Sequence, residues 1–136
     1  MESSAVNIET FDDLLRAAQA QPRAQRLLFV FAGVTTPDDA TPAQRAAFEA
    51  GAGGALEPLM CVDKDPGMLP DFGVLVEEAR QFGHDWKFVF CAAMDKADEA
   101  ATGAALERLV GAVREGRLSG LLPLDREGRV RALQAG

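Results

Sequence analysis

Two short apolar segments with the same aromatic pattern, Phe-Val-Phe, stand at residues 29–31 and 88–90 of this chain. The segments around each copy recur in the same order, and residues 54–65 align with residues 116–127 without a gap. Any two amphipathic helix and strand pairs look alike in a chain rich in alanine and leucine. Because four segments recur in one order at nearly one offset, we predict an internal duplication instead, with units at residues 9–65 and 70–127.

The apolar pattern predicts the order helix, strand, helix, strand in each unit. Thr10 is a suitable helix cap, and after it Phe11, Leu14, Leu15 and Ala18 recur at the spacing of one helical face. The same reasoning gives helices at residues 41–50, 72–82 and 104–115, and strands at residues 27–32, 56–62, 86–93 and 118–124. Pro58, which lacks a backbone donor, favours a strand start or a sheet edge.

The fold class that follows is α/β, in a single domain of residues 1–136. Residues 27–32 and, apart from Lys87, residues 86–93 are apolar without alternation, which is typical of strands that are covered on both faces. Strands joined by crossover helices usually run parallel, so we predict a small sheet of four main strands with packing helices. Residues 129–133 are expected to return after the last strand and to form a C-terminal β-hairpin.

Charge and hydropathy restrict the partners and the location. The net charge of −7 disfavours nucleic acid and anionic membranes, because both bind basic surfaces. No apolar run approaches the roughly 20 residues of a membrane span, and the first residues do not match the pattern of a secretory signal. We therefore predict a cytoplasmic protein without a membrane or nucleic-acid partner.

The residues that usually carry cofactor-free or metal-assisted catalysis are sparse. Cys61 and Cys91 form neither a CxxC pair nor a zinc pattern, and there is a single histidine, His84. Both cysteines lie in apolar strand segments, so we predict that they are buried. The alternative is a nucleophile with a stabilised thiolate, and Lys64 is the near neighbour that could activate Cys61. Acidic residues fill two loops, where they are expected to be solvated, although a cation held between the loops is the alternative: Asp38, Asp39, Asp95, Asp98 and Glu99. We predict no metal, no cofactor and no catalytic residue.

A candidate ligand site comes from the ends of the predicted strands. Ligands of open α/β sheets bind beyond the carboxyl ends of the strands. An acid followed by a base occupies that position in both units: Asp63 with Lys64, and Asp125 with Arg126. Asp95 and Lys96 follow the strand between them. These residues support the alternative of a small enzyme or ligand-binding protein.

One of these strand ends resembles a known phosphatase motif. Residues 59–65, Leu-Met-Cys-Val-Asp-Lys-Asp, resemble the first motif of the haloacid-dehalogenase phosphatases, in which the first aspartate attacks phosphorus. That family continues with Thr or Val where this chain has Gly67. A charged turn after a buried strand accounts for the same residues, and this is the interpretation we favour.

A second resemblance extends over nearly the whole chain. Residues 11–15, 27–33, 59–64 and 77–83 are similar to segments of a family of small bacterial proteins of about this length. That family often carries the label of ribonucleotide reductase subunit alpha. The reductase catalytic subunit is a much larger barrel with a radical cysteine and a closely placed redox pair, and two separated strand cysteines supply neither. The resemblance therefore implies no known chemistry.

The sequence as a whole favours a non-catalytic binding or protein-interaction module over an enzyme. The chain is acidic, is predicted to contain a duplication, and has no pattern that joins a nucleophile to a base. A protein partner or a homodimer is the expected form of interaction.

Overall fold

A computed structural model describes residues 8–35, 41–43, 55–83 and 85–131 of the chain. The described helices are α1 (Phe11–Gln19), α2 (Phe72–Gln81) and α3 (Glu99–Arg114). The strands are β1 (Gln25–Thr35), β2 (Ala55–Lys64), β3 (Phe88–Asp95) and β4 (Leu122–Leu124), and a short 3-10 helix, Pro66–Met68, follows β2. The α/β class and the four strands are confirmed. Most of the predicted helix at residues 41–50 lies outside the described residues.

The four strands form one sheet in the order β2-β1-β3-β4, and every neighbouring pair is antiparallel. The prediction of parallel pairing is therefore wrong. Segments flanking α2 carry the chain back along the sheet, so β2 and β3 run in the same direction, as a crossover requires. They are not neighbours, however, because β1 lies between them and runs the opposite way.

The two central strands, β1 and β3, are buried on both faces, as their continuous apolar sequences predicted. Phe29 and Phe31 face α1 and α2, where they pack in a cluster with Trp86 and Leu75. Alternate residues of the same strands pack on the other side of the sheet against α3, in a second cluster: Leu28, Val30, Ala32, Phe88, Phe90, Leu109 and Val113. The sheet is thus the middle layer between α1 with α2 on one face and α3 on the other.

The helices begin where short polar side chains satisfy their first backbone amides. Thr10 caps α1 in a capping box with Asp13, as its position predicted, and Asp71 caps α2. Asp98 caps α3 by accepting from the amide of Ala101. The helix therefore begins five residues earlier than predicted, because residues 99–101, Glu-Ala-Ala, are good helix formers rather than loop.

The C-terminal part of the sheet is shorter than predicted. The last strand begins at Leu122 instead of residue 118, and the chain then turns so that Val130 bridges back to Leu124. Arg129 bridges to Thr10 ahead of α1. The predicted return hairpin is thus present as single bridges within the described residues, and residues 132–133 lie outside them. The internal duplication remains a prediction.

Candidate functional site

The strand directions divide the four predicted ligand residues between opposite ends of the sheet. We call the end where β1 begins, and where β2 and β3 finish, the lower end of the sheet. Leu27 pairs there with Lys64, and Gln25 pairs with Asp95. Strand β4 is antiparallel to β3, so Leu124 pairs with Val89 near the opposite, upper end. Asp63 and Lys64 therefore do not share a site with Asp125 and Arg126.

The charges at the lower end are engaged in ion pairs. The Asp63 carboxylate accepts from the guanidinium of Arg26 at 2.6 Å, and the Lys64 ammonium lies 2.7 Å from the Glu78 carboxylate of α2. All four side chains are partly exposed. Asp65, the second aspartate of the phosphatase-like motif, accepts from the amide of Gly67 and so caps the 3-10 helix. The geometry is that of a charged turn.

Asp125 is nearly buried and organises the turn after β4. Its carboxylate accepts from the backbone amides of Glu127 at 2.9 Å and Arg129 at 3.0 Å, and from Nε of Arg131 at 2.9 Å. Burial opposes ionisation, but the hydrogen bonds from Arg129, Glu127 and Arg131 outweigh it, so the pKa of Asp125 is lowered. All three donors hydrogen-bond to the carboxylate, so the role of Asp125 is to stabilise the turn.

The turn that Asp125 holds also connects two helices to the sheet. The carbonyl of Gly128 accepts from the amide of Phe11 at 2.9 Å, at the start of α1. Gly128 has a φ of 81°, and a Cβ atom there would lie 3.0 Å from the ring of Phe72 in α2. A side chain at this position would meet both backbone strain and a steric clash.

Arg126 packs on the other side of the same turn. Its guanidinium lies 5.2 Å from the centroid of the buried Trp86 ring, within range of a cation–π interaction. It also lies 3.7 Å from the Asp85 carboxylate. Like Asp125, Arg126 therefore has protein partners at the upper end of the sheet.

The two cysteines differ from each other. Cys91 is buried in β3, and burial raises the pKa of its thiol well above the ordinary value. Cys61 is exposed, so the prediction that both are buried is wrong for this residue. Among the described strands, its strand β2 has a neighbour on one side only. Desolvation and the nearby Asp63 carboxylate raise the pKa of Cys61, whereas Lys64 is paired with Glu78 and does not activate it. Neither thiol has the stabilised thiolate of a nucleophile.

A cleft of about 460 Å³ opens at the lower end of the sheet, on the face that α3 covers. The strand-end residues Asp63 and Lys96 both line it. Its other lining residues come from β1, from the segment before α3 and from the first half of α3: Arg26, Ala97, Glu99, Thr102, Gly103 and Leu106. We call it the lower cleft.

Arg26, Glu99 and Thr102 were not among the residues predicted to line a pocket. Arg26 directly precedes the predicted strand at residues 27–32, and a parallel sheet would place it opposite the strand carboxyl ends, so the antiparallel pairing is what brings it to the cleft. Thr102 is buried and donates from its hydroxyl to the Asp98 carbonyl at 2.9 Å, so it closes the first turn of α3. Asp98 rather than Thr102 is the helix cap.

The outer edge of β2 is the second notable surface. This ten-residue strand pairs only with β1, and no described strand pairs with its other side. A bulge near Phe31 and the presence of Pro58 interrupt its first half. Residues 59–62, Leu-Met-Cys-Val, contain neither proline nor charge. We call this stretch the open edge.

Charged groups outside these two surfaces form no cation site in the described part of the chain, where no group of three or more metal-binding side chains is present. Asp38, Asp39 and His84 lie outside the described residues. None of the described helices is both long and apolar enough to cross a membrane.

Comparison of the chain with protein-family models, with curated proteins and with solved structures finds no match. The resemblance to the small bacterial proteins therefore remains an expectation from the sequence.

Proposed function

We propose that this protein is a non-catalytic interaction module that binds an extended segment of a partner protein at the open edge of β2. The observation that carries the proposal is the difference between the two edges of the sheet. Strand β4 has only three residues, and the returning chain at Val130 covers it. Strand β2 has ten, with its outer side unpaired among the described residues.

Unpaired edge strands are usually protected against addition of another strand. Proline, charges and bulges are the common protective features. The first half of β2 has all three, since Glu57, Pro58 and the bulge lie there. Within the open edge Leu59 is the residue at the bulge, whereas residues 60–62 have no proline, charge or bulge. Backbone groups on such an edge bind an extended peptide through main-chain hydrogen bonds.

The charge of the chain indicates the chemistry of the partner. Residues 55–65 contain three acids, Glu57, Asp63 and Asp65, and one base, Lys64. The whole chain has a net charge of −7, which opposes association with a second copy of itself. The partner that complements this edge is an extended apolar segment with basic residues at its ends.

The chemistry of the remaining groups supports binding rather than catalysis. The pKa values of both thiols are raised, and Asp125 is occupied by three donors. We also propose a cytoplasmic location, where the exposed Cys61 thiol remains reduced.

Binding of a short fluorescent peptide tests the proposal. The peptide alternates valine and threonine and has a lysine at each end, and its fluorescence anisotropy is measured against protein concentration. Replacing Cys61 by lysine places a charge on the open edge, and we expect it to weaken peptide binding by about tenfold or more. Because the Cys61 side chain is exposed, the thermal unfolding midpoint should change little.

A matched control and a second peptide make the test specific. Met68→Lys introduces the same charge at another exposed apolar residue, 78% exposed, outside the strand, and it should leave binding unchanged. A peptide with glutamates at its ends should bind more weakly, and the difference should shrink in high salt. Equal binding of both peptides, or equal effects of both variants, contradicts the proposal. So does a dimer of the free protein that Cys61→Lys dissociates, because the occupant would then be a second copy.

The lower cleft supports a second candidate function, the binding of a small ligand at the strand ends. Only the Asp63 side of the predicted site takes part, because Asp125 and Arg126 lie at the other end of the sheet. The observation that supports it is that Asp63 and Lys96, which come from the ends of two different strands, both line the cleft.

A further inference from the structure

We propose that the lower cleft binds a small zwitterion of the free α-amino acid class. This inference rests on the second candidate function and names its ligand class; the cleft adjoins the open edge only at Asp63. Three observations support it: the size of the cleft, which of its charges already have partners, and the apolar groups beside them.

The size of the cleft fits a small ligand. Its volume of about 460 Å³ lies within the range of roughly 300 to 1,000 Å³ that is usual for ligand sites. Two strand ends and the start of α3 form its walls. The walls are held together by the hydrogen bond from the Lys96 amide to the Ala24 carbonyl at 2.8 Å, and by the Arg26–Asp63 ion pair.

Four charged side chains line the cleft, and they divide into two pairs. Arg26 and Asp63 neutralise each other at 2.6 Å. Lys96 and Glu99 are exposed, and within the part of the chain that the structure describes neither side chain forms an ion pair. The cleft therefore offers one free cation and one free anion.

A ligand that pairs with both free groups must carry both charges. Its carboxylate is the partner for the Lys96 ammonium, and its ammonium group is the partner for the Glu99 carboxylate. A phosphate ion would gain Lys96 but would be repelled by Glu99. A simple amine would gain Glu99 but would be repelled by Lys96.

The uncharged lining predicts a preference among zwitterions. Ala97 and Leu106 provide apolar surface next to the charged groups, and Gly103 leaves room because no Cβ atom projects from it. An amino acid with an apolar side chain would bury that side chain against Leu106, at a gain of about 0.8 kcal/mol for each buried methylene. Leucine should therefore bind more tightly than glycine.

Titration of the isotope-labelled full chain with L-leucine, followed by amide chemical shifts, tests the proposal. The expected result is a saturable shift of the amides of Lys96, Ala97, Glu99 and Thr102, with weaker binding of glycine. Lys96→Met and Glu99→Gln should each weaken leucine binding about tenfold. The controls Lys87→Met and Glu107→Gln remove the same charges outside the cleft lining and should leave it unchanged.

Single-charge probes complete the experiment. Acetate, methylamine and inorganic phosphate are added separately at the same concentrations, and each should shift the cleft amides far less than leucine does. Phosphate or acetate binding as tightly as leucine overturns the zwitterion assignment. Absence of a saturable shift with leucine up to about 10 mM overturns the site itself. Shifts confined to residues 59–62 would assign leucine binding to the open edge instead and would also overturn it.

Discussion

Replacing Phe29 by alanine is expected to lower the free energy of unfolding by about 3 to 5 kcal/mol. Phe29 has no exposed surface, and its ring centroid lies 6.1 Å from that of Phe11 in α1. Removing the ring exposes no new surface to water and leaves a cavity between β1 and α1. Since single domains are stable by only about 5 to 15 kcal/mol, this loss is a large part of the total.

The same experiment on the opposite face tests whether the sheet is a middle layer. Phe90 is fully buried against α3, so Phe90→Ala should lower the free energy of unfolding by a similar amount. Phe82→Ala is the control, because Phe82 is 65% exposed and its removal should change stability by less than about 0.5 kcal/mol. Urea unfolding curves give all three values. A small effect at either Phe29 or Phe90 would contradict the two-sided core.

Replacing Asp125 by alanine is expected to lower the free energy of unfolding by about 3 kcal/mol near neutral pH, although the residue lies in a turn. The substitution leaves the amides of Glu127 and Arg129 without an acceptor, and Arg131 loses its charged partner. The turn also supports the start of α1 through the Gly128 carbonyl, so part of the cost arises there.

The effect of Asp125 should depend on pH in a definite direction. Its pKa is lowered in the folded protein, so its contribution is complete above the unfolded value of about 3.9 and is lost as the pH falls through the folded pKa. The difference in unfolding free energy between the natural chain and Asp125→Ala should therefore be large at about pH 7 and should shrink towards about pH 3. Asp95→Ala, at an exposed acid, should change stability little at either pH. A difference for Asp125→Ala that does not vary with pH would contradict this account of the turn.

The secondary structure of the central strands could be predicted because their residues alternate between two apolar environments. Neither face of β1 or β3 needs polar side chains, and the sequence between Leu27 and Ala32 shows this directly. Strand direction could not be read in the same way. It depends on where each connection returns the chain, and an apolar run looks the same in parallel and antiparallel sheets.

The error in strand direction explains why the four predicted ligand residues do not form one site. Asp63 near the end of β2 and Lys96 after β3 belong to strands that run the same way, so both line the lower cleft. Asp125 follows a strand that runs the other way, and the sequence symmetry that grouped it with Asp63 left the strand order open. The start of α3 was predicted too late because Asp98 and Glu99 were assigned to a loop, whereas Asp98 with the alanines after it begins the helix.

The exposure of Cys61 could not be predicted from the apolar pattern of its strand either. Its neighbours Met60 and Val62 are apolar, as those of a buried strand would be, yet β2 lies at the edge of the sheet. Pro58 was the available signal, because proline is tolerated in edge strands. Edge position decides both the exposure of Cys61 and the proposed function.

Amide hydrogen exchange in β2 of the free protein tests the central claim most directly. In an edge strand only alternate amides bond to the neighbouring strand, and the others face outwards. The account predicts that protected and unprotected amides alternate within residues 60–64, which pair continuously with β1, whereas the amides of residues 27–32 in β1 are all protected. Uniform protection of residues 60–64, equal to that of β1, would mean that the outer side of β2 is already covered, and it would contradict the account.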